Sequence, residues 1–176
     1  NHRWTALTEA LRGCAVLNDC KYGVNVLGNT IALTLLKAAA FPDAHADQGE
    51  QEFTYAFHCW NTDFGRSDVV KAAHELNVPV LCSEGVAGTD SLFTLSGSTV
   101  ILENVKCAED GNGFILRLYE SKGSACRETL HLGFDAAEAS VCNFIEEGSE
   151  MLEIAGNALE LEFTPFQVRT IRVVPR

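Results

Sequence analysis

Two polar clusters in this sequence carry residue types suited to hydroxyl recognition. The first is Asn18-Asp19-Cys20-Lys21-Tyr22-Gly23, which follows the apolar Ala15-Val16-Leu17. Asn, Asp, Lys and Tyr together supply both donors and acceptors for a polyol. The same residues also suit a strand running into a turn. On that reading Asp19 and Lys21 share one strand face and support each other as a local ion pair. The second cluster is the acidic run Asp47-Gln48-Gly49-Glu50. It reads either as a solvated loop or as a polar rim against a sugar or a neighbouring domain.

Neither cluster has the marks of a complete active centre. Hydrolysis of a glycosidic bond uses two carboxyl groups roughly 5–9 Å apart. The chain has 24 acidic residues and no pair that stands out, Asp47 and Glu50 being the closest to one. His45 and Asp47 are two apart in a polar loop, but a metal needs three or four converging ligands with partners behind them. His2, His58, His74 and His131 are scattered. No H-E-x-x-H, P-loop or G-x-S-x-G occurs, and Gly85-Val86-Ala87-Gly88 is too common a pattern to use. Trp4, Tyr55, Trp60 and Tyr119 could stack on a sugar, although each also suits core or edge packing.

The elements that position these residues are mostly strands. Ile31, Leu33 and Leu35 alternate within 29–37, and Phe53, Tyr55 and Phe57 alternate within 52–60. Residues 67–77 break the pattern. Val69, Ala73 and Leu76 follow helical spacing, Ser67 is the expected N-cap, and Asn77 and Pro79 end the run. A short strand is expected over 80–82 and a linker over 85–90. Beyond residue 91 the chain reads as wholly β. Asp110-Gly111-Asn112-Gly113 is a strong turn signal after a strand over 99–107. Phe114, Leu116 and Leu118 share a face, as do Leu130, Leu132 and Phe134. Leu159, Leu161 and Phe163 alternate with Glu160 and Glu162, and a last strand spans 167–174. These strands imply a mainly β chain, an antiparallel β-sandwich with one short helix. Residues 1–90 and 91–176 are the expected divisions.

Composition narrows the partners. The 176 residues have a formal net charge of −11. Such a chain lacks the basic face that nucleic acid requires, and anionic membranes repel it. No apolar run approaches the roughly 20 residues needed to cross a bilayer. The seven cysteines include no C-x-x-C, so a zinc ribbon is not indicated; reduced thiols in a cytoplasmic protein are expected. The opening Asn1-His2-Arg3-Trp4, without Met, reads as a cut edge and leads us to expect a fragment.

Val16-Leu17-Asn18-Asp19-Cys20-Lys21-Tyr22-Gly23 resembles the L-N-D-C-K-Y-G signature of glycoside hydrolase family 38 α-mannosidases. The stretch from Pro42 to Ala56 resembles their P-D-x-x-A-D-x-G-E-H-E-F-T-Y-A stretch. Leu33-Thr34-Leu35-Leu36-Lys37 is similar to the family's L-S-L-L-R strand. Trp4 to Glu9, Arg117-Leu118-Tyr119-Glu120 and Thr164 to Val168 resemble further segments, less specifically. The chain departs from the pattern at Ala6 (often Asp), Gln51 (commonly His) and His58-Cys59-Trp60 (more usually Tyr-Pro-His).

The resemblance implies a C-terminal β-sandwich of the galactose mutarotase-like, mannosidase C-terminal type, with the helix near 67–77 in its larger part and a smaller sandwich segment over 91–176. It implies a retaining, exo-acting α-mannosidase whose zinc and Asp nucleophile lie in an N-terminal β/α domain. No motif for either is found here, so no catalytic residue, metal ligand or cofactor is expected in this chain, and the chain alone is expected to be inactive. Its partners would be that catalytic domain and a mannoside, with a homo-oligomer left open. Asp19, Lys21, Tyr22, Asp47, Gln48 and Glu50 are the candidates for the border of the sugar pocket. A free-standing carbohydrate-binding module is the alternative. Removal of neighbouring domains would expose an apolar patch near Trp4 or along 18–23.

Overall fold

The computed structural model describes all residues except 86, 87, 89 and 149. It divides into two compact units, Asn1–Glu84 and Gly85–Arg176. Every strand pairing is antiparallel.

In the first unit, β1 (Trp4–Glu9), β2 (Arg12–Asn18) and β5 (Tyr55–Trp60) form a three-stranded sheet with β2 in the centre. Alternation gives this sheet two different faces. One face carries Ala15 and Leu17, both buried, and packs against the helix α1 (Val69–Asn77), which buries Val69, Val70 and Ala73. The other face carries Tyr55 and Phe57, which are 58% and 71% exposed. Of the two places where an apolar patch is expected, Trp4 packs its ring on Phe64 at 5.7 Å, while Tyr22 in the 18–23 segment is 55% exposed. A hairpin of β3 (Val24–Leu27) and β4 (Thr30–Leu33) completes the unit.

Several boundaries differ from expectation. The strand foreseen over 29–37 stops at Leu33, because β3 begins at Val24 and its ladder ends one bond further on, with Thr34 N–H donating to Gly23 O at 2.8 Å. The strand foreseen from residue 52 begins at Tyr55. Ser67 is not the N-cap of α1: it ends a 3-10 turn over Phe64–Arg66 and its hydroxyl donates to Phe64 O. Asp68 takes the cap position, but its carboxylate engages His58 Nε2 at 2.8 Å instead of a helix amide. Residues 80–82 form no strand. The linker foreseen over 85–90 includes residues 86, 87 and 89, which lie outside the described residues, as does the middle of the Gly85–Gly88 pattern.

The second unit is a sandwich. One sheet orders β11 (Glu150–Met151), β10 (Ala136–Cys142), β13 (Val168–Pro175), β8 (Phe114–Glu120) and β7 (Val100–Cys107). The facing sheet orders β12 (Ala158–Phe163), β9 (Cys126–Leu132) and β6 (Phe93–Leu95). Leu116 and Leu118 of the first sheet and Leu130, Leu159 and Leu161 of the second are fully buried between them. Each such side chain contributes about 1.5–3 kcal/mol over its exposed state. Phe93, Phe114 and Phe134 close one end of this core with centroids under 6 Å apart: 5.9, 5.7 and 5.8 Å.

A buried carboxylate fastens the loops at the end of β8. Glu120 is fully buried, and its oxygens accept the amides of Lys122 (2.7 Å), Gly123 (2.8 Å) and Phe166 (2.9 Å), with the Ser124 hydroxyl at 3.3 Å. Gly123 (φ 75°) is required twice over: its backbone is left-handed, and a Cβ would sit 2.8 Å from the Phe166 ring. Burial pushes the Glu120 carboxyl up, but the amides of Phe166, Lys122, Ser124 and Gly123 outweigh it and hold the group below the usual 4.5. The resulting stability is present above that value and is lost as pH falls through the depressed native one. Glu120→Ala orphans three amides, and a loss of about 3 kcal/mol is expected in urea unfolding at pH 7, with Glu120→Gln losing less. The acid-side decline of stability below about pH 4.5 should flatten in both variants.

Candidate functional site

The first expected cluster begins where β2 ends. Asn18 is completely buried, and all four of its polar atoms are paired. Its amide donates to Arg3 O at 2.9 Å, and its carbonyl accepts Asn77 Nδ2 at 3.1 Å. Its Oδ1 accepts the Lys21 amide at 2.8 Å, and its Nδ2 donates to Asn1 Oδ1 at 2.7 Å. One side chain and its backbone thus gather the N-terminal segment, the Asp19–Gly23 turn and the last turn of α1.

Asp19 extends the same junction to β5. Its amide donates to Thr54 O at 3.2 Å, and its Oδ2 accepts the Thr54 amide at 2.9 Å. Oδ1 is buried without a hydrogen-bond partner. The Cys20 thiol and then the Thr54 amide hold the Asp19 carboxyl below its ordinary range. The same contact with Asp19 pushes the Cys20 thiol up.

The expected Asp19–Lys21 pair on one strand face is not formed, because β2 stops at Asn18 and both residues lie in the turn. Lys21 instead places its ammonium over the Phe53 ring, 4.7 Å from the centroid. That contact is a cation–π interaction. Phe53 in turn stacks against Tyr55 at 6.4 Å. Tyr22 is 55% exposed. Its carbonyl accepts a hydrogen bond from the Asn1 nitrogen at 2.7 Å, and its ring lies 5.1 Å from His2.

The second cluster is a separate local structure. Asp43 Oδ1 accepts the His45 amide at 2.9 Å, and Asp47 Oδ2 accepts the Ala38 amide at 2.8 Å. Asp47 adopts a left-handed backbone, φ 60°, which Asp tolerates better than most residues. Gln48 pairs with His45 Nδ1 at 3.3 Å and with Ala44 O at 3.4 Å. Glu50 is exposed. Among the described contacts none joins this loop to Asp19, Lys21 or Tyr22, so the six candidates form two groups and not one.

Neither group fits a metal. Among the described residues no three His, Cys, Asp or Glu side chains converge as ligands. His45 and Asp47, the pair considered above, are turned towards Gln48 and the Ala38 amide.

A cavity of about 440 Å³ in this unit is lined by other residues, among them Leu7, Glu9, Arg12, Cys14, Cys59 and Trp60. Glu9 and Arg12 form an exposed ion pair at 2.7 Å, which lowers the Glu9 carboxyl and raises the Arg12 guanidinium. Trp60 is 7% exposed, not an open stacking platform, and its Nε1 is buried without a partner. Its indole covers Gly13, where a Cβ would come within 2.2 Å of the ring. The sequence pattern includes Asn18 in this cluster but does not point to Thr54 or Asn77 as its partners. Only the polar type of Asn18, placed after an apolar run, hinted at a buried role.

Residues 1–45 match the glycosyl hydrolases family 38 C-terminal domain, and residues 99–171 match that family's C-terminal beta sandwich domain. The chain is 41% identical over 182 residues to alpha-mannosidase 2C1 of Mus musculus and of Homo sapiens, covering 98% of this chain. It is 32% identical to alpha-mannosidase G of Dictyostelium discoideum, again over 98% of this chain. The chain spans only about 18% of the length of the mouse and human relatives.

Asn18→Ala should leave the Lys21 amide and the Asn1 amide oxygen unpaired, at a cost of about 2–3 kcal/mol in chemical unfolding. Asp19→Ala should speed hydrogen exchange at the Thr54 amide about tenfold, read by NMR or mass spectrometry, since one hydrogen bond to a charged acceptor is lost. Glu50→Ala should change neither measurement.

Proposed function

The chain belongs to glycosyl hydrolase family 38, as its C-terminal β-sandwich region, and from that premise we propose that it is the non-catalytic portion of a retaining α-mannosidase. In the full-length protein it supports the N-terminal domain that removes terminal α-mannosyl residues. That domain supplies the zinc and the nucleophile. The observation that carries this reading is the pairing of full coverage here with 18% coverage of the mouse and human α-mannosidases. The two family matches at residues 1–45 and 99–171 support the same reading.

Within that reading, the candidates divide by what their side chains already do. Asp19 and Lys21 are committed to Thr54 and Phe53, and act by holding the turn. Gln48 and Glu50 stand exposed on a loop, beside Asp47, and are the better placed to border a sugar site. A cytoplasmic setting belongs to the same proposal, supported by seven cysteines that are all free. The carbohydrate-binding alternative is favoured by one observation, the exposed Tyr55 and Phe57 on the open face of the first sheet. Such rings suit stacking on a sugar.

The isolated chain with added zinc should show no turnover of an aryl α-mannoside, while the full-length protein turns it over; hydrolysis by the isolated chain would end the proposal. In the full-length protein, Glu50→Ala or Gln48→Ala should raise KM about tenfold at nearly constant kcat if these residues border the sugar. An unchanged KM with altered stability would assign them to the scaffold alone. Calorimetric heat with mannose that Tyr55→Ala abolishes would select the binding module.

A further inference from the structure

Cys14 of β2 and Cys59 of β5 stand directly opposite each other in the ladder. In an antiparallel pair, opposed residues alternate between hydrogen-bonded and non-hydrogen-bonded positions. At the latter the Cα atoms are about 4.5 Å apart and the side chains lean together. The phase of this ladder is fixed at its far end, where the Asp19 amide bonds to Thr54 O, the residue opposite it by the register. Counting back from Asp19, hydrogen-bonded positions fall on Leu17, Ala15 and Gly13, and Cys14 falls between them. A second bond agrees: the Asn18 amide points the other way, to Arg3 O of the strand beyond. The amides of β2 therefore face β5 at odd positions and β1 at even ones. Cys14 and Cys59 form a non-hydrogen-bonded pair on one face of the sheet.

Both residues are accessible. Cys59 is exposed, Cys14 is half-buried, and both line the same cavity. No other cysteine has this arrangement: Cys107, Cys126 and Cys142 oppose Phe114, Phe163 and Thr170, and Cys20 and Cys82 lie outside strands.

We propose that Cys14 and Cys59 are a redox site, a cross-strand dithiol that closes reversibly to a disulfide with a low-molecular-weight disulfide such as oxidised glutathione. The exposed Cys59 thiolate attacks one sulfur of that oxidant. The oxidant's S–S bond breaks, a first thiol leaves, and a mixed disulfide remains on Cys59. The Cys14 thiolate then attacks the Cys59 sulfur and expels the second thiol. Two protein thiols lose two electrons and two protons, and the oxidant becomes two thiols. The Cα separation of about 4.5 Å usual for such a pair falls within the disulfide range, and the exposure of Cys59 leaves the bridge open to thiols and readily reduced again. That is the behaviour of a responsive bond in a reducing compartment, not of a permanent staple. The bridge closes the β2–β5 ladder at the Trp60 end, as the Asp19–Thr54 bonds close it at the other. It also ties down β5, which among the described residues is an edge strand paired with β2 alone.

The test is made on the full-length protein. It is equilibrated with reduced or oxidised glutathione, quenched in acid, alkylated and digested for mass spectrometry. In oxidised glutathione a Cys14–Cys59 cross-linked peptide, lighter by two hydrogens than the reduced pair, should account for most of the Cys59 signal. Dithiothreitol should remove it. In Cys59→Ser, Cys14 should form no cross-link to any other cysteine. Phenylarsine oxide, which bridges only thiols within reach of each other, should protect both residues from alkylation in the parent protein and neither in Cys14→Ser or Cys59→Ser. Persistence of both thiols in oxidised glutathione, glutathione adducts without the cross-link, a bridge to a different cysteine, or absence of arsenical protection would each overturn the proposal.

Discussion

The first unit depends on a completely buried asparagine. Asn18 occupies the point where β2 leaves its sheet, and a buried amide there is tolerable because each of its polar atoms has a partner. Its partners come from Arg3, Asn77, Lys21 and Asn1, that is, from three separate stretches of chain. Asp19 adds the start of β5 through Thr54. The turn that carries Lys21 and Tyr22 is therefore shaped by long-range polar contacts. Its side chains point where Asn18 and Asp19 allow, and the Lys21 ammonium is directed onto Phe53 instead of onto the neighbouring carboxylate.

The second unit uses the same device in a drier setting. Glu120 and Glu128 are both buried in a sandwich whose core is otherwise aliphatic and aromatic. Glu120 gathers amides from its own loop and from Phe166, 46 residues away. Glu128 accepts the Ser96 hydroxyl at 2.6 Å, and Gly97 must lack a side chain because a Cβ would lie 2.7 Å from the carboxylate. Glu146 draws together Lys106 at 2.8 Å, the Glu109 amide at 2.9 Å and Arg172 at 3.7 Å, and Arg172 also pairs with Asp110 at 2.6 Å. These carboxylates fix where loops leave the strands.

This pattern explains what could be read without the structure. Leu159, Leu161 and Phe163 are buried while Glu160 and Glu162 are not, since a half-buried strand writes its burial into a period of two. The Asp110–Gly113 turn is legible for a similar reason: Gly111 and Gly113 both take positive φ, at 76° and 91°, which few residues besides glycine accept. The strand β10 left no such trace, because Ala136-Ala137-Glu138-Ala139 lacks β-branched residues and suits a helix as well. The end of β4 and the cap of α1 were set by tertiary partners, Gly23 and His58, that no local pattern reveals. The candidate site was legible only as composition. Asp19 finds Thr54 across 35 residues, and Asn18 finds Asn77 across 59, distances over which sequence spacing carries no geometric information.

The employment of the acidic residues bears directly on what this chain does. Asp19, Asp43, Asp47, Asp63, Asp110, Glu120, Glu128 and Glu146 each accept at least one backbone amide. Of these, Asp19, Asp110, Glu120 and Glu146 are lowered by their partners, which favours the charged form and leaves them little freedom to donate or abstract a proton. Glycoside cleavage asks the reverse of at least one of its two acids, which must stay protonated until it meets the leaving oxygen. In the first unit's cavity the acid is Glu9, exposed and lowered by Arg12. Acids spent on shaping loops suit the supporting role proposed above, since what they do in this structure is hold loops in register.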